Sequence, residues 1–333
     1  MRALSNDRIL DLAVECHQSG RDLAIAIVIQ TWGSSPRPAG SVMIIRDDGH
    51  IEGSVSGGCV ESAVMQAAND VMINATATQL NFDVADEDAW QVGLSCGGAI
   101  SVWICASTAK TNHMTDLFVY IKTQFAQRQA AVIDCHIDQH MMTIARTDQP
   151  ANTLSGDGTC FRLSVDPQPR LYIIGAVHIS QHLAPMAMAA GFDVSVIDPR
   201  TSFINEARFP DTTLIKDWPD DILDSAALDH MSAVVTLTHD PKLDDSALRI
   251  ALQRPVFYIA SLGSRRTHAK RCDRLKQDGF TEDQMARISA PAGCDIKART
   301  PAEIAVSILA ELIAIRRGAM SVSADMMGDE GHA

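Results

Sequence analysis

Aromatic residues are scarce. Only 5% of the 333-residue chain is Phe, Trp or Tyr, so aliphatic side chains and alanine must build the cores. No apolar run reaches the roughly 18–20 residues that cross a bilayer. Residues 23–29 are only strand length, and the stretch 304–315 is broken by Glu311. The first 14 residues carry Asp7 and Asp11 and lack the apolar core of a secretion signal. Basic residues are outnumbered, 28 Lys and Arg against 41 Asp and Glu, for a net charge of −13. A general nucleic-acid binder needs a basic face, so that class is excluded. The eight cysteines form no C-x-x-C pair and no zinc-ribbon spacing. These absences predict a cytoplasmic protein with free thiols, no membrane contact and no nucleic-acid partner. Cys16, Cys105 and Cys135 lie in apolar stretches and are expected to be small core residues.

What is present is ordinary globular composition, 46% hydrophobic and 21% charged, over a length that suits about two domains. Up to residue 165 the pattern is mixed. It predicts a helix over 5–18, a strand over 23–31 and a Pro/Gly loop over 32–40. A hairpin follows, 41–46 and 50–55, around Asp47-Asp48-Gly49. Next come a helix over 60–74, strands over 76–82 and 99–106, a helix over 116–128, and strands over 130–135 and 141–146. Residues 147–158 are polar, lack periodicity and read as a linker. Beyond them the elements alternate strictly. Strands are expected over 171–175, 193–198, 233–238 and 256–260, with helices over 178–190, 245–253, 265–277 and 301–317. Thr300 and Pro301 open the last helix. Alternation of this kind predicts a parallel sheet covered on both faces. The expected organisation is α/β throughout: a mixed α/β domain over 1–165, a Rossmann-like doubly wound parallel sheet over 166–318, and a disordered tail over 319–333.

Several loops carry chemistry. Gly175-Ala176-Val177-His178 follows a strand and opens a helix, and Asp198 ends the next strand, where a Rossmann acidic residue meets a ribose. Gly175 supplies the tight turn, but Val177 stands where a second glycine would admit a pyrophosphate, which argues against ordinary NAD(P) binding. Asp198-Pro199-Arg200, His239-Asp240 and Gly263-Ser264-Arg265-Arg266 all follow strands and so gather at one sheet edge. There Arg200, Arg265 and Arg266 suit an anionic group such as a phosphate, or alternatively salt bridges. In the first domain the loops are Ser34-Ser35-Pro36-Arg37, Ser56-Gly57-Gly58-Cys59 and Gly93-Leu94-Ser95-Cys96-Gly97-Gly98. Paired glycines let backbone N–H groups approach an anion, and a helix N-terminus favours a thiolate. A cysteine so placed could be a nucleophile, a metal ligand or a small turn residue. The residues alone leave these open, including a persulfide carrier on Cys59. His136 and His140 at a hairpin read as surface polar residues.

The runs Gly33-Ser34-Ser35-Pro36-Arg37-Pro38-Ala39-Gly40 and Gly53-Ser54-Val55-Ser56-Gly57-Gly58-Cys59-Val60-Glu61 resemble the signature of the XdhC/CoxI family. Gly93–Gly98 is similar to that family's second cysteine loop. Gly175–His178, Asp198–Arg200, Leu262–Arg266 and Thr300–Ile308 resemble its Rossmann-like domain. Two positions depart from it: Val177 replaces a glycine, and Cys294 stands where leucine is commoner. The resemblance implies a maturation factor that binds the molybdenum cofactor (molybdopterin) as cargo. Such a factor supports the cofactor's sulfuration with a cysteine-desulfurase-type sulfurase and delivers it to an apo molybdenum hydroxylase such as xanthine dehydrogenase. It implies a homodimer and an accessory rather than an enzymatic role. Cys59, and after it Cys96, would contact molybdenum through the cofactor. Ser56, Gly57, Gly58, Gly97, Gly98, Arg37, Arg265 and Arg266 would hold the rest, with Gly175, His178, Asp198 and Arg200 completing the second domain's edge. The alternative from the residues is an NAD(P)-dependent oxidoreductase using the Gly175–Asp198 unit.

Overall fold

The computed structural model describes residues 6–33, 37–58, 60–82, 98–108, 111, 113–146 and 152–320. The expected tail beyond residue 320 lies outside them. The chain divides into two compact units between Pro167 and Gln168.

In the N-terminal unit, helix α1 (Asn6–Gln18) precedes strand β1 (Leu23–Trp32). β1 is continuously aliphatic from Leu23 to Ile29, where both its faces are covered. Leu23, Ile25, Ile27 and Ile29 enter one core, while Ala24, Ala26 and Val28 enter another. The two-residue period of a strand thus sorts large side chains to one face and small ones to the other. β2 (Val42–Arg46), β3 (Ile51–Gly53), β4 (Ala77–Phe82) and β5 (Ala99–Ser107) complete an antiparallel sheet of order β3-β2-β1-β5-β4. Helix α2 (Glu61–Asn74) covers the small-residue face through Val64, Ala68 and Val71. The opposite core takes α1, α3 (His113–Ala126) and a second antiparallel sheet of order β7-β6-β9-β8. Its strands are β6 (Ala131–His136), β7 (Met141–Ile144), β8 (Thr153–Leu154) and β9 (Cys160–Val165).

This second sheet corrects the linker expected over 147–158. Thr153 and Leu154 pair with β9, and the polar residues after them form the hairpin turn. There Asp157 accepts from the Ser155 hydroxyl at 2.6 Å and from the Thr159 amide at 3.1 Å. Strand β9 was not anticipated, although Phe161, Leu163 and Val165 alternate into the core.

The C-terminal unit runs β10 (Arg170–Ile174), α4 (His178–Ala189), β11 (Asp193–Ile197), β12 (Thr213–Ile215), α5 (Pro219–Ser225) and β13 (Ser232–Thr236). It continues with α6 (Pro241–Leu252), β14 (Tyr258–Ser261), α7 (Arg265–Gln277), α8 (Glu282–Met285), β15 (Ile288–Ser289) and α9 (Pro301–Arg316). All six strands are parallel, in the order β12-β11-β10-β13-β14-β15. Chain direction across the sheet reverses between β10 and β13, the switch point of a doubly wound fold. Helices α4 and α9 cover one face, and α5, α6 and α7 the other. Helix α6 starts at Pro241 rather than at residue 245, because the Asp240 side chain accepts from the Lys242 amide at 3.0 Å and caps it. No helix among the described residues is long and apolar enough to cross a membrane.

Candidate functional site

The loop between β3 and α2 is built around one carboxylate. Val55 and Val60 are buried in the core under α2 and pin both ends of the loop. Between them Gly57 (φ 87°) and Gly58 (φ 120°) take left-handed backbone that a side chain would strain. The loop closes on Glu61, the first residue of α2. Its carboxylate accepts from the Ser54 hydroxyl (2.7 Å), the Ser56 amide (3.0 Å) and the Ser56 hydroxyl (2.5 Å). It also accepts from the amides of Gly57 (3.1 Å), Gly58 (2.9 Å) and Val60 (3.2 Å). Burial opposes ionisation of Glu61, but the hydroxyls of Ser56 and Ser54 and the loop amides outweigh it and hold the carboxyl down at about 2.

This arrangement bears on one expectation. The Gly57 and Gly58 amides, which the sequence offered to an external anion, donate to the protein's own carboxylate. These consecutive backbone N–H groups converge on one acceptor, and that acceptor belongs to the chain itself. Sequence reasoning named Glu61 only as the end of a motif. An acidic residue three positions after a Ser-x-Ser-Gly-Gly turn is the available signal. Cys59 lies outside the described residues, flanked by Gly58 and Val60, and Ser34, Ser35, Pro36, Cys96 and Gly97 also lie outside. Arg37 is half-buried in the loop after β1, and Gly98 is buried at the head of β5. Cys16, Cys105 and Cys135 are buried free thiols, and burial pushes Cys105 up to about 12. Among the described residues no group of three or more His, Cys, Asp or Glu could hold a metal.

In the C-terminal unit the residues around the first strand–helix turn engage one another. Asp198, fully buried, accepts from the Ala176 amide (2.8 Å), the Arg200 amide (2.9 Å), and Arg200 Nε (2.9 Å) and Nη2 (2.7 Å). Burial works against its ionisation, and the hydrogen bonds from Arg200 and Ala176 prevail, lowering its pKa. The Arg200 guanidinium also lies 4.6 Å from the Phe203 ring centroid. Asp198 and Arg200 are therefore a salt-bridged pair, not open groups facing a ribose or a phosphate. A Cβ on Gly175 would lie 2.4 Å from Thr238 Cγ2, so the turn is packed against the segment after β13. His178 is exposed at the start of α4, and Arg265 and Arg266 are exposed at the start of α7.

The structure does bring His239 and Arg266 to one cleft of about 300 Å³. Its other walls are Pro241, Asp244 and Asp245 of α6 and Thr267, Lys270, Arg271 and Arg274 of α7. The last three basic residues escaped the sequence reading. Their signal was the spacing 267, 270, 271, 274, one face of a helix.

A six-stranded sheet of Rossmann order, joined to an antiparallel unit that presents a carboxylate-locked Gly-Gly turn, defines a two-unit α/β protein with loop-borne sites. Residues 171–312 match the XdhC Rossmann domain, and residues 16–83 match the XdhC and CoxI family. The chain belongs to the XdhC and CoxI family. It is 30% identical over 318 residues to the molybdenum cofactor insertion chaperone PaoD of Escherichia coli (strain K12), covering 92% of this chain and 88% of that one. It is 29% identical over 316 residues to a protein of Bacillus subtilis (strain 168) named as a probable xanthine dehydrogenase component, covering 89% of this chain and 94% of the other. A crystal structure described as a xanthine dehydrogenase from Bacillus halodurans superposes with a TM-score of 0.75 at 25% identity, covering 97% of this chain and 99% of that one.

Proposed function

We propose that this chain is a molybdenum cofactor chaperone, a maturation factor rather than a catalyst. It holds the cofactor and supports its sulfuration by a cysteine-desulfurase-type sulfurase. It then hands the cofactor to an apo molybdenum hydroxylase of the xanthine dehydrogenase type, working in the cytoplasm as a homodimer. The observation that carries the reading is the 54–61 loop, in a chain that matches an insertion chaperone over most of its length. Glu61 accepts from the amides of Gly58 and Val60, the chain neighbours of Cys59, and so ties that stretch of the loop to the N-terminus of α2. A thiolate is a suitable ligand for a sulfur-rich molybdenum centre, and a helix N-terminus favours its formation. The cofactor's phosphate does not fit the Gly57 and Gly58 amides, which Glu61 occupies. That contact falls to basic side chains, Arg37 among them, and Cys96 with the Gly97-Gly98 loop is the second thiol region.

The test is cofactor analysis of the full chain purified from a molybdate-fed, cofactor-competent cell. Stoichiometric molybdopterin in the wild type and its loss in Cys59→Ala are expected. A wild-type protein that carries none would retire the chaperone reading, and equal loading of the variant would retire the Cys59 contact alone.

The alternative, an NAD(P)-dependent oxidoreductase, finds less support. The groups with which a Rossmann turn takes a dinucleotide, the Ala176 amide and the Asp198 carboxylate, are bonded to each other.

A further inference from the structure

The cleft between α6 and α7 has a charge pattern that stands out in a chain of net charge −13. Four cations line it, Arg266, Lys270, Arg271 and Arg274, against two carboxylates, Asp244 and Asp245. The carboxylates are committed. Asp245 takes Arg274 in a bidentate pair, with Nη2 at 3.0 Å. Asp244 accepts from the Thr238 hydroxyl at 2.7 Å and from the amides of Thr238 (3.2 Å) and His239 (3.0 Å). Arg266 and Lys270 are exposed and make no ion pair among the described residues.

Arg271 is the unusual member. Only 2% of the residue is exposed. Nη2 donates to the Leu262 carbonyl at 3.0 Å, while Nη1 and Nε have no hydrogen-bond acceptor. The nearest carboxylate oxygen, on Asp245, stands 3.9 Å from Nε. A buried guanidinium short of acceptors is costly, and burial drives its pKa down. An anion in the cleft would supply the acceptors that Nη1 and Nε lack, and the two exposed side chains at the rim would reach it from solvent.

We infer that this cleft binds a phosphoryl group, the dianionic end of a phosphate monoester, with Arg266 and Lys270 as its direct contacts and Arg271 as the charge in its wall. A phosphoryl dianion matches the surplus of two positive charges, and guanidinium suits its oxygens with paired donors. Neither Gly175 nor Arg200 lines the cleft. The inference does not depend on the chaperone reading, because any phosphate monoester of suitable size satisfies it.

The experiment is calorimetric titration of the full chain with inorganic phosphate and with AMP, at fixed ionic strength in chloride buffer. The comparison is with Arg266→Ala/Lys270→Ala, whose substitutions are solvent-exposed and whose fold is checked by its melting curve. Saturable binding that weakens at least about tenfold in the double variant is expected, the scale of losing charge-assisted contacts. Arg8→Ala/Lys122→Ala removes the same charge from the other unit and should leave binding unchanged. Absence of saturable binding in the wild type, equal binding in the double variant, or equal weakening in the control would each overturn the inference. Molybdopterin content of the double variant identifies the source. A lower load points to the cargo's own phosphate, and an unchanged load to a separate ligand, with the phosphate site standing either way.

Discussion

At the scale of single residues, Glu61 decides what the Gly-Gly turn can do. The sequence offers the paired glycines of this turn as backbone amides that can approach an anion. It could not show that the acceptor is four residues further along the same chain. Replacing Glu61 with Gln keeps one acceptor oxygen and removes the charge, leaving several loop donors unpaired. The expected loss is about 1–3 kcal/mol, the usual consequence of stranding partly buried donors. The pH dependence has a definite sign. The folded-state value near 2 lies below the ordinary 4.5, so Glu61 contributes its full stabilisation above pH 4.5 and loses it as the pH falls toward 2. Urea midpoints of wild type and Glu61→Gln should therefore differ at pH 7 and converge on acidification through that window. A gap that stays constant with pH would show that shape, not charge, is what Glu61 provides.

At the scale of elements, one glutamate illustrates how a sequence signal can be present and misassigned. Glu311 first appears as an interruption in an apolar run, useful for excluding a membrane span. In the fold it faces inward from α9 and joins three elements. Its carboxylate accepts from the Tyr258 hydroxyl of β14 at 2.5 Å, the Ser289 hydroxyl of β15 at 2.6 Å and the Gly293 amide at 2.9 Å. β15 has only two residues, so this clasp does much of what a longer ladder would do at the sheet edge. Glu311→Ala should cost about 3 kcal/mol, because Tyr258 and Ser289 are buried and would lose their acceptor, while Tyr258→Phe should cost about 1 kcal/mol. Chemical denaturation of the full chain reads both. A Glu311→Ala protein as stable as wild type would contradict the clasp.

The same contrast explains what was legible. Strong periodicity exposed β1, the alternating strands and helices after residue 170, and the Thr300 cap, whose capping box with Glu303 is formed. Short elements were lost. β8, β12 and β15 have two or three residues each and are held by neighbours, so no local pattern announces them. In the sequence the basic stripe of α7 is indistinguishable from ordinary surface charge, and only the buried state of Arg271 sets it apart.

At the scale of the whole molecule, the parallel doubly wound sheet follows from the alternation of elements, its strand order does not, and the fold alone assigns no ligand. What separates the two functional readings is the state of the switch-point residues. For a dinucleotide to bind as in an ordinary Rossmann unit, Asp198 must turn to a ribose and the Ala176 amide to a phosphate. Both would have to leave a buried network in which Arg200 contributes two side-chain hydrogen bonds. Breaking such a pair costs about 3–5 kcal/mol, which weakens binding by roughly two to four powers of ten. Val177 adds a steric barrier at the position where the backbone should meet the pyrophosphate. Titration of the full chain with NAD(H) and NADP(H), followed by nicotinamide fluorescence, should accordingly show no saturation in the micromolar range. Saturable micromolar binding would mean that the Asp198–Arg200 pair opens readily, and it would restore the oxidoreductase as the better reading of the C-terminal unit.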